Sequence, residues 1–188
     1  YLLGILLHPE NENLPFPVVF TGPASAAAYF EQIDQFIAAT LGEKARSKYQ
    51  IIIDDPVKVA KVMQEGIKEV RAYRKSHGDA YYFNWMLKID EEFQRPFLPT
   101  HENMRSLALH KNQESHLLAA NLRRAFSGVV AGNVKDQGIR AIEKYGHFEI
   151  VGDAEIMHSM DALLHSFVTQ SRMKLPGKAY VPCYKVIK

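Results

Sequence analysis

Chemistry in this 188-residue chain would have to come from a few concentrations of polar groups, and three places supply them. The first pairs Thr21-Gly22 with Asp54, each closing an apolar run, Pro17-Val18-Val19-Phe20-Thr21 and Gln50-Ile51-Ile52-Ile53. Ligands of open α/β sheets bind beyond the carboxyl ends of strands, where loops and helix starts present backbone N–H groups. There Gly22 lets the backbone approach a ligand, Thr21 and Ser25 offer hydroxyls and Asp54 a carboxylate; the plainer reading is a turn followed by a helix cap. The second place is Pro99-Thr100-His101-Glu102-Asn103-Met104, preceded by Asn84-Trp85 and Lys88. An imidazole beside a carboxylate could act as acid, base or ligand. Thr100 followed by Glu102 and Asn103 reads equally well as a capped helix start with an acidic first turn. The third is Arg123-Arg124 beside Asn121, two guanidinium groups able to take a phosphate or carboxylate, or to form salt bridges on a helix surface.

Other patterns are less specific. Ser127-Gly128-Val129-Val130-Ala131-Gly132-Asn133 carries two glycines, but lacks the lysine and hydroxyl of a phosphate-binding loop, and close helix packing accounts for it equally. His158, Asp161 and His165 fall near one helical face, yet no HExxH or cysteine pair accompanies them, so no metal is expected. Cys183 sits in an apolar run without a nearby base, which argues against a thiol nucleophile, and no serine lies in a GxSxG turn.

The elements that must position these groups follow from hydrophobic spacing. Both apolar runs are continuous rather than alternating, the mark of strands covered on both faces, as in a parallel sheet. Between them a helix is expected to open at Ser25, bury Phe30, Ile33, Ile37 and Leu41, and stop at Gly42. A second helix begins at Asp54-Asp55-Pro56 and carries Val59, Val62, Met63, Ile67, Val70 and Tyr73 on one stripe. Ser76-His77-Gly78-Asp79 breaks that pattern and sets a boundary between residues 1–78 and 79–188. The second region reads as mainly helical, near 103–111, 114–126, 135–145 and 154–169, the last capped by Gly152-Asp153. Phe148-Glu149-Ile150-Val151 and 179–187 are short strands, with Tyr81-Tyr82-Phe83 a possible pairing partner. The fold class is thus α/β: the end of a parallel-sheet domain followed by a mainly helical one with a few short strands.

Composition narrows the function further. Lys and Arg number 23 against 21 Asp and Glu, a net charge of +2, far from the basic balance of a dedicated nucleic-acid binder. The segment from Arg172 to Lys188 is locally basic, which suits a solvated edge, an anion or a subunit contact. A single cysteine fits a reducing compartment, here the cytoplasm, and no apolar stretch approaches the roughly 20 residues of a membrane span. The apolar start, Tyr1 to Leu7, reads as the middle of a helix, so the chain is expected to be a piece of a longer one.

Several uncommon strings occur in one order. Tyr1 to Asn13, Pro17 to Pro23 and Tyr49 to Pro56 resemble the closing part of a Lonely Guy (LOG) type Rossmann-like domain. Phe83 to Asp90, Pro99 to Met104, Leu118 to Gly128, Val130 to Asn133 and Met173 to Gly177 with Ala179 to Tyr184 resemble the C-terminal domain of bacterial pyrimidine/purine nucleotide 5′-monophosphate nucleosidases. The resemblance implies hydrolysis of the N-glycosidic bond of nucleoside 5′-monophosphates to free base and ribose 5-phosphate, without metal or organic cofactor. It also implies a homo-oligomer and a response to guanosine alarmones. In that family a PGGxGTxxE motif cradles the phosphate and supplies the carboxylate serving the ribose. These 188 residues do not contain it, so no catalytic residue is carried over and the chain alone is expected to be inactive. Thr21, Gly22, Asp54, Thr100, His101, Glu102, Asn103, Arg123 and Arg124 stand as substrate-binding candidates. The alternative is a noncatalytic nucleotide-binding, oligomerisation or regulatory module.

Overall fold

A computed structural model describes residues 1–79, 87–175 and 179–187. The expected strand at Tyr81-Tyr82-Phe83, the pair Asn84-Trp85, and Pro176, Gly177, Lys178 and Lys188 lie outside the described residues. The chain opens with α1 (Leu2–Leu6), then β1 (Val19–Gly22), a single 3-10 turn (Ala24–Ala26), α2 (Ala27–Arg46), β2 (Gln50–Ile53) and α3 (Pro56–Ser76). β1 and β2 pair in parallel, Phe20 opposite Ile51 and Gly22 opposite Ile53, which is the βαβ unit expected from the two apolar runs.

Two details of that unit differ from expectation. Ser25 falls inside the 3-10 turn and makes no cap hydrogen bond, and α2 starts only at Ala27. The turn is drawn in by packing: a side chain on Gly22 would meet the Ala26 Cβ at 3.0 Å, so the strand end and the turn touch. Gly42 does leave the helical region, at φ +76°, but a further helical turn runs on to Arg46. That turn is held back onto the helix body by Asp34, whose carboxylate accepts from Arg46 Nε at 3.1 Å, Arg46 Nη2 at 2.8 Å and the Tyr49 hydroxyl at 2.6 Å.

The second half contains α4 (Glu91–Gln94), α5 (His101–Arg105), β3 (Ala108–Leu109), α6 (Ser115–Val134), α7 (Asp136–Tyr145), β4 (Phe148–Gly152), α8 (Ala154–Thr169) and β5 (Tyr184–Ile187). The helix expected over 103–111 is therefore a short helix followed by a strand: Leu107 and Leu109 are buried on either side of exposed Ala108, a period of two. The strand expected over 179–187 narrows to its last four residues, consistent with Pro182, which has no N–H to donate to a ladder. β3, β4 and β5 form one parallel sheet in that order, with Leu109 opposite Gly152 and Phe148 opposite Tyr184. Gly152 must be glycine for this pairing, since a Cβ there would lie 2.8 Å from that of Leu109.

The core runs across both halves. Phe36, Ile37, Ala45 and Tyr49 share one buried cluster with Leu122, Val129, Ile150 and Met160. Helix α2 packs on α8 and α6, and α1 packs on α6. Asn11 is almost completely buried and acts as a backbone mimic, donating to Ile5 O at 2.8 Å and Lys88 O at 2.7 Å while accepting from Lys88 N at 2.8 Å. The glycine run at 127–133 is helix rather than loop. Gly128 makes room for the fully buried Met104, and Gly132 for Cys183. No helix among the described residues is long and apolar enough to cross a membrane.

Two outcomes follow from this packing. Within α7, a Cβ on Gly138 would lie 2.2 Å from the Ala131 carbonyl oxygen of α6, a backbone atom that cannot rotate away. Gly138→Ala should lower stability by about 1–3 kcal/mol in urea unfolding, although the same change in an open helix gains about 1 kcal/mol. The hydrogen bonds from Arg46, and secondarily Tyr49, hold the Asp34 carboxyl below its ordinary 3.8. Its contribution to stability is therefore fully present above that value and is lost as pH falls through the depressed folded value. Asp34→Asn should lower stability at neutral pH and flatten its fall below about pH 4, measured by urea unfolding across a pH series.

Candidate functional site

The carboxyl ends of β1 and β2 bring Thr21, Gly22 and Asp54 together, as the sequence suggests. Asp54 N donates to Gly22 O at 2.9 Å, so the residue after β2 is fastened to the last residue of β1. The cap of α3 belongs to the next residue: Asp55 Oδ1 accepts from Lys58 N at 2.8 Å. This leaves the Asp54 carboxylate exposed and, like the Thr21 hydroxyl, without a hydrogen bond or ion pair among the described residues. Asp54 also holds a left-handed backbone, φ +56°, a conformation that L-residues other than Asn and Asp seldom adopt. A strained, unpaired carboxylate at the ligand-binding end of a parallel sheet is the arrangement most open to a ligand hydroxyl or a developing positive charge.

The Pro99-Met104 segment lies elsewhere, and its polar atoms are largely used within the fold. Thr100 caps α5 by accepting from Asn103 N at 3.1 Å, and the Asn103 amide donates to Leu98 O at 2.8 Å. His101 Nε2 meets the Gly146 carbonyl at 2.8 Å, with its ring 4.8 Å from Phe148. Since α5 leads into β3, and Gly146 and Phe148 lead into β4, this segment closes the amino ends of the second sheet. Glu102 alone faces solvent in the first turn. Of the two arginines, Arg124 is paired with Glu92, whereas the Arg123 guanidinium lies over the rings of Tyr1 and Phe93 at 5.3 and 5.5 Å.

One constellation escapes sequence reasoning. Asp153 stands at the N-cap position of α8, as expected, but makes no cap bond. Its carboxylate takes His110 Nδ1 at 2.9 Å and Lys111 N at 2.9 Å, and these hydrogen bonds, His110 first, lower its pKa. The pair sits at the carboxyl ends of β3 and β4. The available signal was a His and an Asp each directly following a strand, invisible until β3 is recognised. The helix-face acid Asp161 accepts from the Tyr180 hydroxyl at 2.7 Å. Burial pushes the Cys183 thiol up to about 11, which keeps it protonated and a poor nucleophile at neutral pH.

Comparison with known proteins adds a second line. Residues 67–187 match the family described as pyrimidine/purine nucleotide monophosphate nucleosidase, C-terminal. Pyrimidine/purine nucleotide 5′-monophosphate nucleosidases of Escherichia coli K12 and of Escherichia coli O157:H7 are each 54% identical to this chain over 186 residues. The aligned part covers 99% of this chain and 41% of each relative, so the chain spans about two-fifths of the length of these proteins.

The backbone at Asp54 gives a direct check on the geometry of this end. Asp54→Val should cost about 1–2 kcal/mol, because a β-branched side chain opposes the left-handed region, while Asp54→Asn, which tolerates it, should leave stability within about 0.5 kcal/mol. Parallel urea unfolding of the two variants measures the difference.

Proposed function

The chain belongs to the pyrimidine/purine nucleotide monophosphate nucleosidase C-terminal family, and from this we propose that it forms part of a nucleosidase acting on purine and pyrimidine nucleoside 5′-monophosphates. The reaction would hydrolyse the N-glycosidic bond and release free base and ribose 5-phosphate. The observation that carries this reading is 54% identity, across 99% of the chain, to proteins of that name.

N-glycosidic hydrolysis needs an anion cradle for the 5′-phosphate, a carboxylate beside a sugar that becomes oxocarbenium-like, and a water placed for attack. We assign the β1 and β2 ends to that site as a positioning surface. The Thr21 hydroxyl and the backbone at Gly22 would contact ribose or phosphate oxygens, and Asp54 would accept from a ribose hydroxyl or face the developing positive charge. The phosphate cradle and principal carboxylate are assigned to the PGGxGTxxE motif, outside these residues. In the same proposal residues 1–78 complete a LOG-type Rossmann-like domain and residues 79–188 form the nucleosidase-associated domain. The assembly is a homo-oligomer in the cytoplasm that answers to a guanosine alarmone, with nucleoside monophosphates rather than nucleic acid as ligands. Thr100 and Asn103 serve it by fixing the start of α5, and His101 by tying α5 to the Gly146 carbonyl ahead of β4, internal roles that their hydrogen bonds support.

The test is incubation of the full-length protein with AMP, GMP, CMP and UMP, followed by chromatography. Equimolar base and ribose 5-phosphate are expected from the full-length protein, with no turnover above background by the 188-residue chain at equal molarity. Absence of base release from all four nucleotides by the full-length protein would reject the reaction. Comparable turnover by the shorter chain would move the active site into these residues, with Asp54, His101 and Glu102 first in question.

A further inference from the structure

The locally basic segment that begins at Arg172 starts beside the same end of the first sheet as Gly22, and a short series of contacts places it there. After α8 the chain turns sharply. Ser171 holds a left-handed backbone, φ +57°, where helices commonly place glycine, and Arg172 N and Met173 N both donate to Phe167 O, at 2.7 and 2.9 Å. This corner rests against α2. The Phe167 ring lies 5.3 Å from that of Tyr29, and the Arg172 guanidinium stands over the Tyr29 ring at 4.9 Å.

Tyr29 belongs to the first turn of α2. Its ring is 5.1 Å from that of Phe30, and Phe30 in turn lies against the last residue of β1, where a Cβ on Gly22 would meet Phe30 Cε2 at 3.3 Å. Two aromatic rings thus connect the Arg172 guanidinium to Gly22, so a charge carried by the second half of the chain stands beside the carboxyl end of β1. Residues 24–30 and 170–175 include no acidic side chain, and Lys174 adds a second positive charge to the corner. Packing of α8 on α2 accounts for Phe167 and Tyr29, but it does not call for a cation above the ring. A guanidinium attracted to a ring face keeps its N–H donors, and its planar fork matches two oxygens of a phosphate.

We propose that Arg172 is a substrate-binding residue: held over Tyr29, its guanidinium engages the 5′-phosphate of a nucleoside monophosphate bound over the carboxyl end of β1. The inference rests on the nucleosidase reading and adds a specificity determinant to it. Phosphate is what separates a nucleotide from a nucleoside. An arginine that meets only the phosphate strengthens binding of the first and leaves the second unaffected, which makes the corner after α8 a point of discrimination rather than a general attraction.

The experiment compares the full-length protein with its Arg172→Gln and Arg172→Lys variants in three measurements: AMP turnover, calorimetric titration with ribose 5-phosphate, and inhibition by adenosine, which has base and sugar but no phosphate. Arg172→Gln should raise KM for AMP and Kd for ribose 5-phosphate roughly tenfold, a loss of about 1.4 kcal/mol. Its kcat should stay within about threefold, as for a residue that holds substrate without entering the chemical step, and inhibition by adenosine should not change. Arg172→Lys, which keeps the charge and loses the fork, should recover part of the loss. Normal turnover with KM and Kd unaltered in Arg172→Gln would overturn the inference and leave the nucleosidase reading standing. Equal weakening of adenosine would also overturn it, assigning Arg172 to the fold. No turnover by the unsubstituted protein, with ribose 5-phosphate binding still weakened by Arg172→Gln, would reject the nucleosidase reading and keep the phosphate contact; no turnover and no binding would reject both.

Discussion

Helix α2 has to satisfy two sets of neighbours at once, and the rest of the structure depends on that. As the crossover between β1 and β2 it belongs to the first sheet, yet it packs on α8 and α6 of the second half. Phe36 and Ile37 are buried in the same cluster as Leu122, Ile150 and Met160. A two-stranded parallel ribbon cannot bury both of its faces alone. Here it is anchored through its helix to the three-stranded sheet. The last turn of α2 therefore matters disproportionately, and the Asp34, Arg46 and Tyr49 network fastens it beyond the break at Gly42.

Polar groups divide sharply between those satisfied by the fold and those left open. Around α5 almost every donor and acceptor finds an internal partner, through Thr100, His101, Asn103 and Ser106. At the ends of β1 and β2 the opposite holds: Asp55 takes the capping duty and Asp54 is left with an unpaired carboxylate on a costly backbone. Unpaired groups on a strained backbone are poor stabilisers, and under the proposed function their place at this strand end is to meet a ligand. His110 and Asp153 fall between these cases. Their pairing orders the loop after β3, and it occupies the same topological position in its own sheet.

The first half was largely legible because its signals are local. Gln50 to Ile53 is a strand as expected, and the Pro56 start of α3 is encoded by the Asp55 cap and the proline itself. The stripe of α8 also reads directly, with Ile156, Met157, Met160, Leu163 and Leu164 all buried. The second sheet was not legible as a sheet. β3 is two residues long and owes its existence to β4, so no propensity could announce it. Met104 and Leu107 are spaced for a helix while Leu107 and Leu109 are spaced for a strand, and only tertiary pairing decides between them. Among candidate site residues, Thr21, Gly22 and Asp54 were placed together by a topological rule. Thr100 to Asn103 were singled out by chemical type alone, and that criterion does not distinguish a ligand contact from an internal clasp.

Asn11 has consequences for the order in which the chain assembles. It joins Lys88 backbone to the α1 region across a sequence separation of 77 residues. In an unstructured chain, closing a loop of that size carries a length-dependent entropy cost of about 4 kcal/mol, more than one buried amide returns. The contact becomes favourable once the βαβ unit between the two points has formed and shortened the effective loop. Asn11 is therefore a late-forming lock whose geometry reports completed assembly rather than its nucleus. The β1–β2 ladder uses none of the Asn11 hydrogen bonds, so loss of this clasp would leave the hydrogen bonds of that pairing in place.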